Sequence, residues 1–176
     1  YLAQKESDSA LAVFNQGLLA KDKGFLNNIG LAQLDLDAKK NADAIAKFDK
    51  ASKEIKKKDV DETLLIAKAY IKSENPNYKA AIDLINKVLV TNMSNAGAHL
   101  LLGDAQFANG SSNEAYASYR NAYDYDNSVI LAKMNLAKIT KNAKAFNEAV
   151  KSFDEILKIN PNFGPVYREL AETYYF

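Results

Sequence analysis

The hydrophobic positions of the chain recur at intervals of three and four residues, which is the spacing of one face of an α-helix. They follow it from Ala10 to Leu18 and again from Phe25 to about Asp37. Glycine, asparagine and proline interrupt the pattern about every 12 to 16 residues, the length of an ordinary helix. No segment alternates apolar and polar residues as a strand would. The pattern therefore predicts an all-α chain of helices joined by short turns.

Residues typical of helix ends refine this prediction. Asn41 is expected to cap the helix that follows it, and Pro76 is expected to precede a helix from about Asn77 to Val90. Asn109 and Gly110 mark a further turn. The stretch Ser73–Asn77 is expected to make one turn two residues longer than the equivalent turns.

The helices are predicted to form similar units, because residue types recur 34 positions apart. Gly103 is followed at that distance by Ala137, and Ala115 by Ala149. Two helices approach closely only where one of them presents alanine or glycine, and a bulky residue then fills the space beside the contact. We expect a partial unit at 1–24, full units at 25–59, 60–95, 96–129 and 130–163, and a partial unit at 164–176.

This repeat resembles that of the tetratricopeptide-repeat (TPR) family, whose 34-residue unit is an antiparallel pair of helices, A and B. The resemblance rests on small residues at the eighth and twentieth positions and bulky ones at the twenty-fourth. The eighth positions are Ala32, Ala67, Gly103, Ala137 and Ala171; the twentieth are Ala10, Ala44, Ala81, Ala115 and Ala149; the twenty-fourth are Phe14, Phe48, Ile85, Tyr119 and Phe153. It implies an all-α, right-handed α–α superhelix, a solenoid of antiparallel helix pairs. The family's proline at position 32 occurs here only as Pro161.

The ends of the chain suggest its context. It opens on Tyr1 without a methionine and closes in the middle of the pattern, so we expect it to be a fragment of a longer repeat array. Residues 162–175 resemble bacterial repeat proteins, some of them exported. That resemblance implies a bacterial protein and favours the periplasm or cell envelope, while the sequence alone leaves the compartment open.

In proteins of this family the A helices line a concave groove, to which the second, fifth and ninth positions of each unit contribute. The resemblance therefore implies a set of partner-binding residues with an apolar middle and charges of both signs around it. Such a lining suits an extended peptide or an amphipathic helix. For each apolar member, the alternative is packing between neighbouring A helices. The set is Leu26, Ile29, Gln33, Leu64, Lys68, Leu100, Asp104, Leu131, Met134, Lys138, Arg168 and Glu172.

Some members of the family hold the C-terminal carboxylate of a chaperone with lysine at the fifth position. Here that position is Ile29, Leu64 and Leu100 in successive units, so we do not expect a chaperone cofactor. Formal net charge is +1, with acids and bases interleaved, which argues against a nucleic-acid partner. No apolar run approaches the roughly 18 residues of a membrane span, so no membrane insertion is expected.

The sequence offers few residues that could form a catalytic or metal-binding site. The chain contains one histidine, His99, and no cysteine, a poor supply of metal ligands. Asp124–Ser128 has the first residues of a calcium loop without its central glycine or final glutamate, and a helix end explains it better. No phosphate loop or nucleophile elbow occurs. We expect no catalytic residue, no metal and no cofactor.

Three functions remain open on the sequence alone. The first is a non-enzymatic scaffold that binds a protein or peptide in the A-helix groove. The second is a structural component that self-assembles, as a homo-oligomer or within a cell-envelope assembly. The third is an accessory domain of a larger protein whose catalytic part lies elsewhere.

Overall fold

The computed structural model describes residues 7–20, 24–55 and 60–175. These residues form ten helices and no strand, which confirms the all-α prediction. In the described ranges, no helix has both the length and the hydropathy to cross a bilayer. The helices are α1 (Ser7–Leu19), α2 (Gly24–Asp37), α3 (Asn41–Glu54), α4 (Val60–Lys72), α5 (Tyr78–Thr91), α6 (Ala96–Ala108), α7 (Ser112–Tyr125), α8 (Ile130–Asn142), α9 (Phe146–Ile159) and α10 (Gly164–Tyr175).

The chain divides into two compact units, Tyr1–Val88 and Leu89–Phe176. In the first unit, α2 packs on α1, α3 and α4. In the second, each of α6 to α9 packs on the helix that follows it, and α8 also contacts α10. Contacts of this kind, between near neighbours along the chain, are those of a solenoid of helix pairs. The division into four full and two partial repeats stays a prediction.

Small residues lie where the helices meet. All five alanines of the twentieth position are at most 1% exposed. At the eighth position, Ala32, Ala67, Gly103 and Ala137 are buried, but Ala171 is exposed. Ala171 differs because α10 packs through Val166, Leu170 and Thr173, and no helix follows it within the described residues.

Bulky residues fill the space beside these contacts. A β-carbon added to Gly103 on α6 would lie 2.5 Å from Cδ1 and Cε1 of Tyr119 on α7. Gly30 on α2 is approached as closely by the ring of Phe14 on α1. The rings of Phe48 on α3 and Tyr70 on α4 pack with their centroids 4.4 Å apart. The predicted contact of a small eighth-position residue with a bulky twenty-fourth-position residue is therefore present between α6 and α7. In the first unit the residue beside Phe14 is Gly30, at the sixth position, which was not predicted.

Three of the interhelical turns share one backbone conformation. Lys39, Gly110 and Lys144 lie two residues after the ends of α2, α6 and α8 and have φ of 60°, 87° and 63°. In each turn the next residue donates its N–H to a carbonyl five residues earlier, as Lys40 does to Asp35 at 2.7 Å. This is the left-handed ending of many helices, which glycine adopts without strain.

The turn between α4 and α5 is longer, as predicted from Ser73–Asn77. Asn77 precedes α5 and accepts the N–H of Ala80 on its Oδ1 at 3.0 Å, so this helix begins at Tyr78, one residue later than predicted. The prediction that Asn41 caps α3 was wrong. The cap residue is Lys40, which makes no side-chain cap bond. The Asn41 amide oxygen instead accepts Nδ2 of Asn75 at 3.3 Å, in the longer turn.

Candidate partner-binding site

A cleft with a volume of about 340 Å³ lies between α1, α2 and α4 in the first unit. It brings together four of the predicted groove residues, Leu26, Ile29, Gln33 and Lys68. It adds five that were not predicted: Phe14, Gly30, Leu65, Ala69 and Lys72. Leu64, which was predicted, does not line it. We call this the α1–α2–α4 cleft.

Helical spacing explains how these side chains meet. Leu26, Ile29 and Gln33 are three and four residues apart on α2, so they lie on one face of that helix. Leu65, Lys68 and Lys72 have the same spacing on α4 and share a face in the same way. Gly30 lets the Phe14 ring enter against the backbone of α2. Two helical faces and one inserted ring therefore form the cleft.

The α1–α2–α4 cleft is apolar inside and cationic at its rim. Among the described residues that line it, Lys68 and Lys72 are the charged ones. Within the described residues, neither lysine forms an ion pair. Ile29 is 7% exposed and acts largely in packing, whereas Leu65 is 40% exposed and presents an apolar surface at the cleft.

A second depression in the first unit, of about 430 Å³, is lined mainly by polar residues near the end of α2 and the start of α1. The carboxylates of Asp35 and Asp37, which line it, are engaged within the chain. Asp35 pairs with Lys47. Asp37 accepts the Ser73 hydroxyl at 2.5 Å and the Glu74 N–H at 2.8 Å. The Asp37 contacts secure the end of α2 to the longer turn, and the Asp35 contact secures it to α3, so we assign this depression a structural role.

In the second unit, several predicted groove residues take part in the protein's own packing. Met134 is 9% exposed and belongs to a core cluster with Ala137, Ala149 and Phe153. Asp104 accepts the Tyr119 hydroxyl at 2.9 Å and Nδ2 of Asn135 at 3.2 Å. Leu100 is half-buried. Of the predicted apolar residues in this unit, Leu131 is the most accessible, at 47% exposed.

Two of the predicted charged residues, Lys138 of α8 and Glu172 of α10, form ion pairs with residues that were not predicted. Lys138 lies 3.4 Å from Glu169. Lys141, which was not predicted, lies 2.6 Å from Glu169 and 2.7 Å from Glu172. Burial tends to lower the pKa of Lys141, but its hydrogen bonds to both glutamates outweigh that effect and the pKa is raised. The hydrogen bond from Lys141 lowers the pKa of Glu172. Arg168 is exposed. This face is therefore largely neutralised within the chain.

Comparison with known proteins bears on the fold. No protein-family model and no curated protein sequence matches the chain. Solved structures do match it. TTC0263, a thermophilic TPR protein of Thermus thermophilus, shares 17% identity over 99% of this chain and 94% of its own, with a TM-score of 0.69. YrrB, described as a TPR protein with an unusual peptide-binding site, shares 17% identity over 95% and 84%, with a TM-score of 0.62.

A third similar structure, MamA from Desulfovibrio magneticus RS-1, shares 16% identity over 92% of this chain and 90% of its own, with a TM-score of 0.63. Three solved structures superpose on most of this chain, and the small residues that the repeat pattern predicted are mostly buried where helices meet. The chain has the tetratricopeptide-repeat fold. In TPR terms, α2, α4, α6, α8 and α10 are A helices, and α1, α3, α5, α7 and α9 are B helices.

Two features that suggested chemistry take part in the packing and turns of this fold. His99 is 8% exposed. Its Nε2 lies 2.9 Å from the Met93 carbonyl oxygen, and its ring stacks on Tyr125 with centroids 5.3 Å apart. Asp126 ends α7 and accepts the Ser128 N–H and hydroxyl at 2.9 and 2.6 Å, which lowers its pKa. In the part of the chain that the structure describes, no three His, Asp or Glu residues are arranged to hold a metal ion.

Some of the site residues that were not predicted could have been recognised from the sequence, and others could not. Lys72 lies four residues after Lys68 on the same helix, so the α-helical period could have indicated it. Leu65 is at the sixth position of its repeat, next to the fifth position that the family pattern favours. Phe14 was assigned to the core, and its position 24 gave no sign that the ring also borders an open cleft. Lys141 could be recognised only through its contacts with α10.

Proposed function

We propose that this TPR chain is a protein-interaction module and that it binds a segment of a partner protein in the α1–α2–α4 cleft. The observation that carries the proposal is the cleft itself, an apolar depression with two lysines at its rim that pair with no described residue. Apolar anchors in a small pocket, surrounded by polar contacts, account for most of the affinity of many protein interfaces. The description of the structural neighbour YrrB as having a peptide-binding site agrees with this choice.

The size of the cleft favours a peptide segment over a folded surface. Its volume of about 340 Å³ lies near the lower end of the range for ligand pockets, roughly 300–1,000 Å³. A few anchoring side chains would fill it. Its walls are helices, which hold their faces in place, so the cleft exists before the partner arrives and little ordering is needed on the module's side.

The proposal can be tested by selecting peptides from a displayed library on the 176-residue chain and measuring their affinity by fluorescence anisotropy. Leu65→Glu places a carboxylate inside the cleft at a half-exposed position, so the fold should tolerate it. We expect it to weaken binding by at least about tenfold. Leu19→Glu is the matched control, because Leu19 is 84% exposed on α1 and does not line the cleft.

The decisive comparison is between these two variants, with circular dichroism to check that both are folded. Affinity that is unchanged in Leu65→Glu, or a library from which no binder emerges, would contradict the proposal. Leu131→Glu, in the second unit, tests whether the remaining predicted groove residues contribute. A loss of affinity in that variant would extend the binding surface to α8.

A further inference from the structure

Lysines at one repeat position have different surroundings in the two units. Lys68 on α4 and Lys138 on α8 both occupy the ninth position of an A helix. Lys138 lies 3.4 Å from Glu169 of α10. Lys68, at the rim of the α1–α2–α4 cleft, forms no ion pair within the described residues. The same contrast holds one turn further on, where Lys141 pairs with Glu169 and Glu172 while Lys72 pairs with no described residue.

Helix α10 indicates what kind of segment satisfies such lysines. Its two glutamates are three residues apart, so they project from one side of the helix. Val166 and Thr173 of the same helix are buried, and Leu170 packs against the core cluster. A helix with an apolar stripe flanked by two carboxylates therefore covers the lysine-bearing face of α8.

The α1–α2–α4 cleft offers matching chemistry, and its lining residues all belong to α1, α2 and α4. Its apolar lining, which includes Leu26, Phe14 and Leu65, would accept an apolar stripe. Lys68 and Lys72 are four residues apart on α4, a spacing at which like charges repel each other. A carboxylate placed near both would relieve that repulsion and gain a charge-assisted hydrogen bond.

We propose that the occupant of the cleft is an amphipathic helix of a partner protein, with an apolar stripe and two carboxylate side chains three or four residues apart. This inference rests on the proposed function and specifies the partner's chemistry. The carboxylates contact Lys68 and Lys72, as Glu169 and Glu172 contact Lys138 and Lys141. The apolar stripe lies against Leu26 and Leu65.

The test uses three designed helical peptides, each amidated at its C-terminus so that it has no terminal carboxylate. Each is about 20 residues long, because shorter isolated helices are marginal in water. They share one leucine stripe and differ at two flanking positions, which are both glutamate, both glutamine or both lysine. Affinity for the 176-residue chain is measured by fluorescence anisotropy at two salt concentrations.

We expect the glutamate peptide to bind about tenfold or more tightly than the glutamine peptide, and less tightly at high salt. The double substitution Lys68→Glu, Lys72→Glu should weaken binding of the glutamate peptide and create binding of the lysine peptide. The matched control is Lys87→Glu, Lys151→Glu, which reverses two exposed lysines of α5 and α9 outside the cleft. It should change the affinity by less than about twofold.

Two results would overturn the inference while leaving the proposed function intact. In one, the glutamate and glutamine peptides bind equally and Leu65→Glu abolishes both. In the other, no designed helix binds, although library-selected peptides bind and lose affinity in Leu65→Glu. If neither designed nor selected peptides bind, the proposed function itself is wrong.

Discussion

Replacing Gly103 with alanine is predicted to destabilise the second unit, although alanine is the better helix former. The added methyl group would lie 2.5 Å from Cδ1 and Cε1 and 3.0 Å from Cγ of Tyr119. Tyr119 cannot easily withdraw. It is 2% exposed, and its hydroxyl donates to Asp104 at 2.9 Å.

The expected change in the free energy of unfolding follows from three effects, of which the first stabilises the variant and the other two destabilise it. Helix propensity favours alanine over glycine by about 1 kcal/mol. Overpacking a filled core costs about 1–3 kcal/mol. If the ring moves far enough to break its hydrogen bond to the Asp104 carboxylate, the loss is about a further 1.5–3 kcal/mol. Because the ring can shift partly without losing that bond, we expect a net loss of about 1–3 kcal/mol in the free energy of unfolding.

Urea unfolding followed by circular dichroism measures this change. Gly97→Ala is the matched control on the same helix, because the one neighbour of its added methyl group is Asn95 Oδ1 at 3.4 Å. It should leave stability unchanged or raise it by up to about 1 kcal/mol. In a Tyr119→Leu background, Gly103→Ala should lose much of its effect, as expected of coupled neighbours. If the Gly103→Ala variant is as stable as the Gly97→Ala variant, α6 and α7 do not approach each other as closely as the structure shows.

Three further predictions concern stability. Ala115→Leu should destabilise by about 1–3 kcal/mol through overpacking, whereas Ala117→Leu, exposed on the same helix, should stay within about 0.5 kcal/mol; equal effects in urea unfolding would contradict the packing. Lys144→Gly relieves a left-handed backbone at φ 63° and should stabilise by about 0.5–1 kcal/mol; an unchanged or lower melting temperature would refute this. Burial first, then Asp104, raises the pKa of Tyr119 above its ordinary 10.0. The folded state thus keeps a proton that the unfolded state releases, so stability is full below about pH 10 and falls above it by up to about 1.4 kcal/mol per pH unit. Tyr119→Phe should flatten that fall, and equal slopes would show that Tyr119 does not contribute.

The positions at which helices cross could be predicted because close packing of two helices restricts the residue type at the crossing. Two backbones meet closely only at glycine or alanine, so Ala44, Ala115 and Ala149 marked helix crossings from their spacing alone. The longer turn at Ser73–Asn77 could also be predicted, since extra residues between two helical patterns must form a turn. The prediction that Asn41 caps α3 failed because the Asn41 side chain bonds instead to Asn75, in a turn distant in sequence.

The candidate site could be predicted only in part. The repeat pattern indicates which face of an A helix a residue occupies, but it does not indicate how deeply the next helix buries that face. Ile29 and Met134 share the fifth position with Leu64 and Leu100, yet both are buried, at 7% and 9% exposed. The pairing of Lys138 and the different surroundings of Lys68 depend on which residues the adjacent helix presents, and a single helix pattern does not contain that information.

The central claim is that small residues let successive helices touch while bulky side chains fill the space beside them. Nuclear Overhauser spectroscopy of the isotope-labelled 176-residue chain tests it directly, at one contact in each unit. We predict strong cross-peaks from the Hα protons of Gly103 to the Tyr119 ring and from those of Gly30 to the Phe14 ring, because each ring packs directly against the position that a β-carbon would take. Assigned spectra of the folded chain that lack both cross-peaks would contradict the claim.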